Sequence, residues 1–306
     1  MIDMLKLSTT NLLDKLFAKF LSEHAKKRIE ATILVVAIVG FIVHLVLIGL
    51  VDLNLIAMGD PTSLLTNPIA AIYTPFSFIL IYEVYLLIYY LPKSITVYIG
   101  KQYEIMTLVL IRRLFKDLSH LELTPNWFSV KGDLLFTYDL IATVVLFFLI
   151  SVFYSINPQK EGSIGSTPEL SDATTLFIRM KNFIAVLLVP VFVGMATYSL
   201  LTWVHRSFFT SAPPAASAPQ LDGIFFDQFF TILILADVLL LLVSFLRSDR
   251  FSTVIRNSGF VISTILIKIS FGTEGLLNNI LVVVAVLFGV TILAIEKRYE
   301  RLRVSS

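Results

Sequence analysis

Residues Phe78 to Phe115 read FILIYEVYLLIYYLPKSITVYIGKQYEIMTLVLIRRLF. A carboxylate, Glu83, stands inside a membrane-length apolar run. Beyond the break at Pro92, a second apolar helix carries Lys101, Glu104, Arg112 and Arg113. About half the chain later, Ile232 to Phe271 read ILILADVLLLLVSFLRSDRFSTVIRNSGFVISTILIKISF, with Asp237-Val238 in the place of Glu83-Val84. With a gap at the turn, Thr96-Val97 aligns with Thr253-Val254, Tyr103 with Phe260, Ile105 with Ile262 and Thr107 with Thr264. Matches among Leu, Ile and Val come cheaply between apolar helices. The acids, the threonines and the aromatic pair carry the signal, and they point to a two-fold internal repeat.

Working outward, hydrophobic residues make up 57% of the 306 and charged residues only 15%. A soluble fold of this size has too little core to hide that many apolar side chains, so lipid is the solvent for most of the chain. The runs are long and continuous, whereas a membrane barrel shows short segments of alternating polarity; the expected fold is an all-α polytopic membrane protein. No cysteine is present, which excludes disulfides and thiolate chemistry. Lys6, Lys15, Lys19, Lys26, Lys27 and Arg28 precede the first apolar run, and Lys297, Arg298, Arg301 and Arg303 follow the last. Both termini are therefore expected in the cytoplasm, and the number of spans is even. The absence of targeting signals and of cysteine leans towards a bacterial plasma membrane.

Residues 1–30 are too charged for a cleaved signal and read as an amphipathic cytoplasmic helix. Leu13, Leu16, Phe17, Phe20 and Leu21 fall at helical spacing, with Asn11 available as a cap. Residues 31–156 form a first membrane half, with apolar segments at 31–51 (carrying His44), 68–91, 94–120 and 134–153; Trp127 and Phe128 read as interfacial anchors before the last of these. Residues 157–178 are a polar linker rich in Gly, Ser and Pro. Residues 179–296 form the second half, with segments at 183–204 (Pro190 inside), 226–246, 251–271 and 278–295; residues 297–306 are a basic tail. If every segment crosses, there are eight spans. If 94–120 and 251–271 lie at the interface, there are six. The positive-inside rule divides Lys and Arg almost equally in the two arrangements; the apolar stretch Gly259 to Ile267 favours eight. Four spans per half make the repeat parallel, and three make it inverted.

An ionised carboxylate at bilayer depth costs about 2.5 to 3.5 kcal/mol, so it is expected to face a bundle interior. Glu83 and Asp237 at matching positions of a repeat would line a site for protons or small cations. His44 is a third candidate on that path, although a lone histidine is more often a hydrogen-bonded core residue. Lys101, Glu104, Arg256 and Lys268 are candidate charge partners, which would make the acids a structural ion pair instead. Lys101 and Glu104, three apart on one helix, read as a mutual pair. Arg112, Arg113 and Lys116 read as headgroup contacts. They cluster at one end of their helix, which excludes a voltage sensor.

Enzyme motifs are absent: no nucleophile elbow, P-loop or HExxH, and no metal-ligand spacing, so neither cofactor nor metal is expected. The basic residues are those that topology demands, so nucleic acid is not an expected partner. The expected function is a cation or proton channel or transporter, with lipid, the ion and a homo-oligomer as partners. The alternatives are a non-transporting subunit that docks partner proteins through residues 1–28 and segment 94–120, and a lipid-handling enzyme built on Asp117, His120, Glu122 and Lys131.

Overall fold

The computed structural model describes residues 14–53, 55, 68–118, 131–157, 172–209, 218–245, 251–273 and 275–304. Helix is the regular structure there, with no strand among the described residues. Among the described residues the long helices, in chain order, are α1 Glu23–Asp52, α2 Tyr73–Tyr90, α3 Ile95–Leu118, α4 Lys131–Ile156, α5 Asp172–Phe209, α6 Ala218–Phe245, α7 Phe251–Phe271 and α8 Leu276–Val304. A 3-10 turn, Pro68–Ile72, leads into α2, and residues 14–20 are helical ahead of α1. Asn11, Trp127, Phe128, His120, Glu122 and most of the polar linker lie outside the described residues.

Local chemistry sets these boundaries. Ser22 adopts extended backbone and its hydroxyl accepts from the Ala25 amide at 3.2 Å, capping α1. The chain therefore bends at residues 21–22 instead of running straight into the membrane. Phe17 and Leu21 then fold into the core, and the Tyr85 hydroxyl donates to the Phe20 carbonyl at 2.7 Å. Pro92 has no N–H to continue α2, and the turn closes with the Lys93 amide on the Tyr90 carbonyl at 3.0 Å. Between α7 and α8, Gly275 takes a φ of 65°, which glycine adopts without steric cost. Helices also outrun their apolar segments: α5 begins at Asp172 inside the stretch that reads as linker, and α8 continues through the basic tail to Val304. Pro190 sits inside α5 without ending it.

Five helical stretches are long and apolar enough to cross a membrane: Asp14–Asp52, Gly132–Ile156, Ile178–Met195, Phe251–Phe271 and Leu276–Leu302. Thr74–Tyr90 and Gln228–Val243 are apolar but shorter. The α3 helix, with its six charged residues, belongs to neither group. Polarity is distributed inside out. Leu34, Val35, Ile38, Val39, Ile42 and Val46 of α1 are exposed, as are Ile141, Val144, Phe147 and Phe148 of α4, while Gln102, Thr107, Asp139, Asp237, Ser263 and Thr264 are buried. Polar groups inside and apolar groups outside suit a multi-pass protein in lipid.

Sequence neighbours pack as neighbours: α1 on α2, α2 on α3 and α3 on α4, then α5 on α6, α6 on α7 and α7 on α8. The two sets meet mainly along α4 against α8, with α2 touching α5 and α3 touching α7. Phe153 of α4 fills the centre, edge-on to Tyr103 of α3 at 5.3 Å between ring centroids and tilted against Phe260 of α7 at 6.2 Å. Close approach depends on Gly289 of α8, where an added Cβ would land on the Tyr103 hydroxyl. That hydroxyl shares a 2.8 Å hydrogen bond with Ser263, whose own oxygen donates to the Ala285 carbonyl at 2.7 Å.

Candidate functional site

The α3 helix stands between the two acids that the sequence singles out, and it offers a different face to each. Residues 98 and 102, one turn apart, reach Asp237 of α6, while Lys101 sits over Tyr90 of α2 and Glu104 bonds Tyr154 of α4.

Asp237 is buried, 7% exposed, on α6. Gln102 Nε2 donates to its Oδ2 at 3.3 Å, and Gln102 Oε1 accepts from the Thr264 hydroxyl at 2.7 Å, so an amide relay links α7 through α3 to the acid. The Tyr98 hydroxyl closes on Asp237 and Gln102 without meeting strict hydrogen-bond geometry to either. A cavity of ≈ 30 Å³ opens beside the carboxylate, and Tyr98, Lys181 and Asn257 share its wall with apolar side chains such as Leu240 and Phe260. Lys181 of α5 is 5% exposed, and its ammonium donates to the Lys93 carbonyl at 2.8 Å. Its charge reaches Asp237. No ion pair to Asp237 forms among the described residues.

Glu83 is half-buried on α2 and makes no hydrogen bond to a described residue. It feels the charges of Glu104 and Lys101. Those two are occupied with each other: Lys101 Nζ lies 2.6 Å from Glu104 Oε2 and sits over the Tyr90 ring, while the Tyr154 hydroxyl donates to Glu104 Oε1. No hydrogen bond joins Glu83 to Asp237, so each acid has its own surroundings on α3. His44 Nδ1 lies 2.6 Å from the Thr74 hydroxyl, which ties α1 to α2.

The remaining cations are placed differently from their sequence reading. Arg256, a candidate partner for the acids, pairs instead with Glu296 of α8 at 2.6 Å, and its Nε and Nη2 both donate to Asn257 Oδ1 at 3.2 Å. Lys268 is half-buried in the last turn of α7, where a cation suits the helix dipole. Arg112 is buried, 8% exposed. Arg113 turns its guanidinium inward because acceptors are waiting there: Asp139 of α4, and Asn278 and Asn279 of α8 at 2.9 and 2.5 Å. The side chain of Lys116 lies outside the described set.

Sequence reasoning passed over Asp139, although the rule that selects Glu83 and Asp237 selects any acid inside an apolar run. It also passed over Gln102, Tyr98, Lys181 and Asn257, whose significance comes only from facing Asp237. Asp133, 1% exposed in the first turn of α4, has both carboxylate oxygens buried without a hydrogen bond. The described residues include no group of three or more His, Asp or Glu suited to a metal ion. No protein-family model matches the chain, and neither a curated protein nor a solved structure is similar to it.

Proposed function

We propose that this is a polytopic membrane protein of eight crossings, built as two related four-helix halves, that passes a small cation or proton through its polar interior by way of Asp237 and Glu83. One observation carries the reading. Lys101 pairs with Glu104 and Arg256 with Glu296, while Asp237 is buried beside a cavity, bonded to the neutral Gln102 amide and in no ion pair among the described residues, although the Lys181 ammonium shares the cavity wall. A structural ion pair would have consumed it. An unpaired acid at bilayer depth is costly, and its usual role is to receive an ion or a proton.

Support for related halves comes from equivalent bonds at aligned positions. Thr107 donates to the Tyr103 carbonyl at 3.0 Å in α3, and the Thr264 hydroxyl lies 3.1 Å from the Phe260 carbonyl in α7, sharing its one proton between that carbonyl and Gln102 Oε1. Tyr103 and Phe260 also meet the same ring, Phe153. The order of helix packing in α1–α4 recurs in α5–α8, as in a parallel repeat of four spans.

Ion flux into proteoliposomes of the purified chain tests the proposal. Asp237→Asn and Glu83→Gln are each expected to slow flux by about tenfold or more, with insertion and elution volume unchanged. A double variant that conducts like wild type would sink it.

A further inference from the structure

We infer that the ion exchanged at Asp237 is a proton and not a metal cation. The inference rests on reading Asp237 as the point of passage, and it is drawn from what surrounds the carboxylate on each packed element. From α3 come Tyr98 and Gln102, from α5 Lys181, and from α7 Asn257 and Thr264.

A dehydrated metal cation needs a shell of about six oxygens supplied by carboxylates, carbonyls or water. Few acceptors remain here. Asp237 Oδ2 is taken by Gln102, Gln102 Oε1 by Thr264, and Asn257 Oδ1 by Arg256. Each of these oxygens keeps a second lone pair, yet Asp237 is the one acid among the described residues lining the cavity, and the other oxygens are neutral groups tied to other donors. The ≈ 30 Å³ of space has room for one or two waters, not for a cation together with the waters that would complete its shell. The Lys181 ammonium on the same wall repels a cation. Most of the remaining wall is apolar.

A proton asks for much less. It needs one free carboxylate oxygen, a water to carry it and groups that hold the carboxyl in place. A cavity water that receives a proton from the bulk passes one on to Oδ1, so the new carboxyl O–H forms as the hydronium O–H breaks and neutral water is left; release reverses the step. Gln102 serves either state through Oδ2. Nothing in the exchange requires an ion to shed its hydration shell.

The test uses the full chain in proteoliposomes. An entrapped pH dye reports proton entry driven by a valinomycin-set potential, and uptake of radioactive Na⁺ and Rb⁺ is followed separately without valinomycin. Proton entry at least about tenfold faster than in Asp237→Asn, and unchanged when Na⁺ is replaced by N-methylglucamine, is the expected result. Asparagine keeps an oxygen for the Gln102 amide, so this variant preserves the local fold. The selectivity measurement uses wild type alone and does not depend on it. Na⁺ or Rb⁺ uptake, or proton flux that requires either ion, overturns the inference while leaving the transport function standing. No flux of any ion above empty liposomes overturns both.

Discussion

Arg113 of α3 and Asp139 of α4 meet fork to fork, with Nε on Oδ2 and Nη2 on Oδ1, the second bond at 2.9 Å. Asn279 of α8 donates to the same carboxylate oxygen at 2.5 Å, and Asn278 reaches on to the Ser270 carbonyl of α7 at 2.5 Å. The carboxylate is 3% exposed and the arginine 33%. Four helices are thus fastened by one fully bonded acid, in contrast to Asp237, which makes no ion pair among the described residues.

This contrast separates a structural acid from a functional one. Lysine cannot reproduce the planar two-bond fork, so Arg113→Lys should lower the stability of the detergent-purified protein. Asp139→Leu should cost on the order of 3 kcal/mol, somewhat under the full cost of a broken buried pair because a third of Arg113 remains open to solvation. Both changes should lower the thermal midpoint and leave flux per folded molecule close to wild type. A loss of flux without a loss of stability would move Asp139 into the ion path.

Much of this was legible in the sequence. The apolar runs fix the helices, because a membrane leaves the backbone few other ways to satisfy its hydrogen bonds. Lys101 and Glu104 pair as their spacing predicts, and His44 is hydrogen-bonded as a lone core histidine usually is. The partners of the acids were not legible. Arg256 lies close enough in the chain to Asp237 to look like its counterion, but Glu296, 40 residues away, takes it across the α7–α8 contact. Gln102, 135 residues from Asp237, carries no charge and so leaves no mark in a hydropathy reading. Cation assignment depends on which helix faces touch, and an apolar pattern alone does not choose among them.

The contact between Tyr103 and Gly289 is a second place where packing can be tested. An added Cβ at Gly289 would overlap the tyrosine hydroxyl and come within 2.8 Å of Cζ and 3.3 Å of the Ser263 hydroxyl. Gly289→Ala should destabilise by about 1–3 kcal/mol through overpacking. Tyr103→Phe alone should cost about 0.5–1.5 kcal/mol for the lost bond to Ser263, which keeps its bond to the Ala285 carbonyl. In the double variant the clashing oxygen is gone, so the combined loss should fall short of the sum by about 0.5 kcal/mol or more. Strict additivity of the thermal midpoints would mean that Tyr103 does not approach α8 in the folded protein.

The number of crossings can be read by chemistry, because the chain has no cysteine to remove first. With cytoplasmic termini and eight crossings, Ser163 between α4 and α5 lies in the cytoplasm and Ser217 between α5 and α6 lies outside. With six, α3 and α7 stay at the interface and the two positions exchange sides. Ser163→Cys and Ser217→Cys, each alone, are expected to respond oppositely to a membrane-impermeant maleimide on intact cells: Ser217→Cys labels at once, Ser163→Cys only after permeabilisation. Ser119→Cys, between α3 and α4, should label from outside only if α3 crosses. Labelling of Ser163→Cys on intact cells would put α3, with Tyr98 and Gln102, along a membrane surface. Asp237 would then face that surface, and its reading as an ion site at the centre of the bilayer would fall with the eight-span topology.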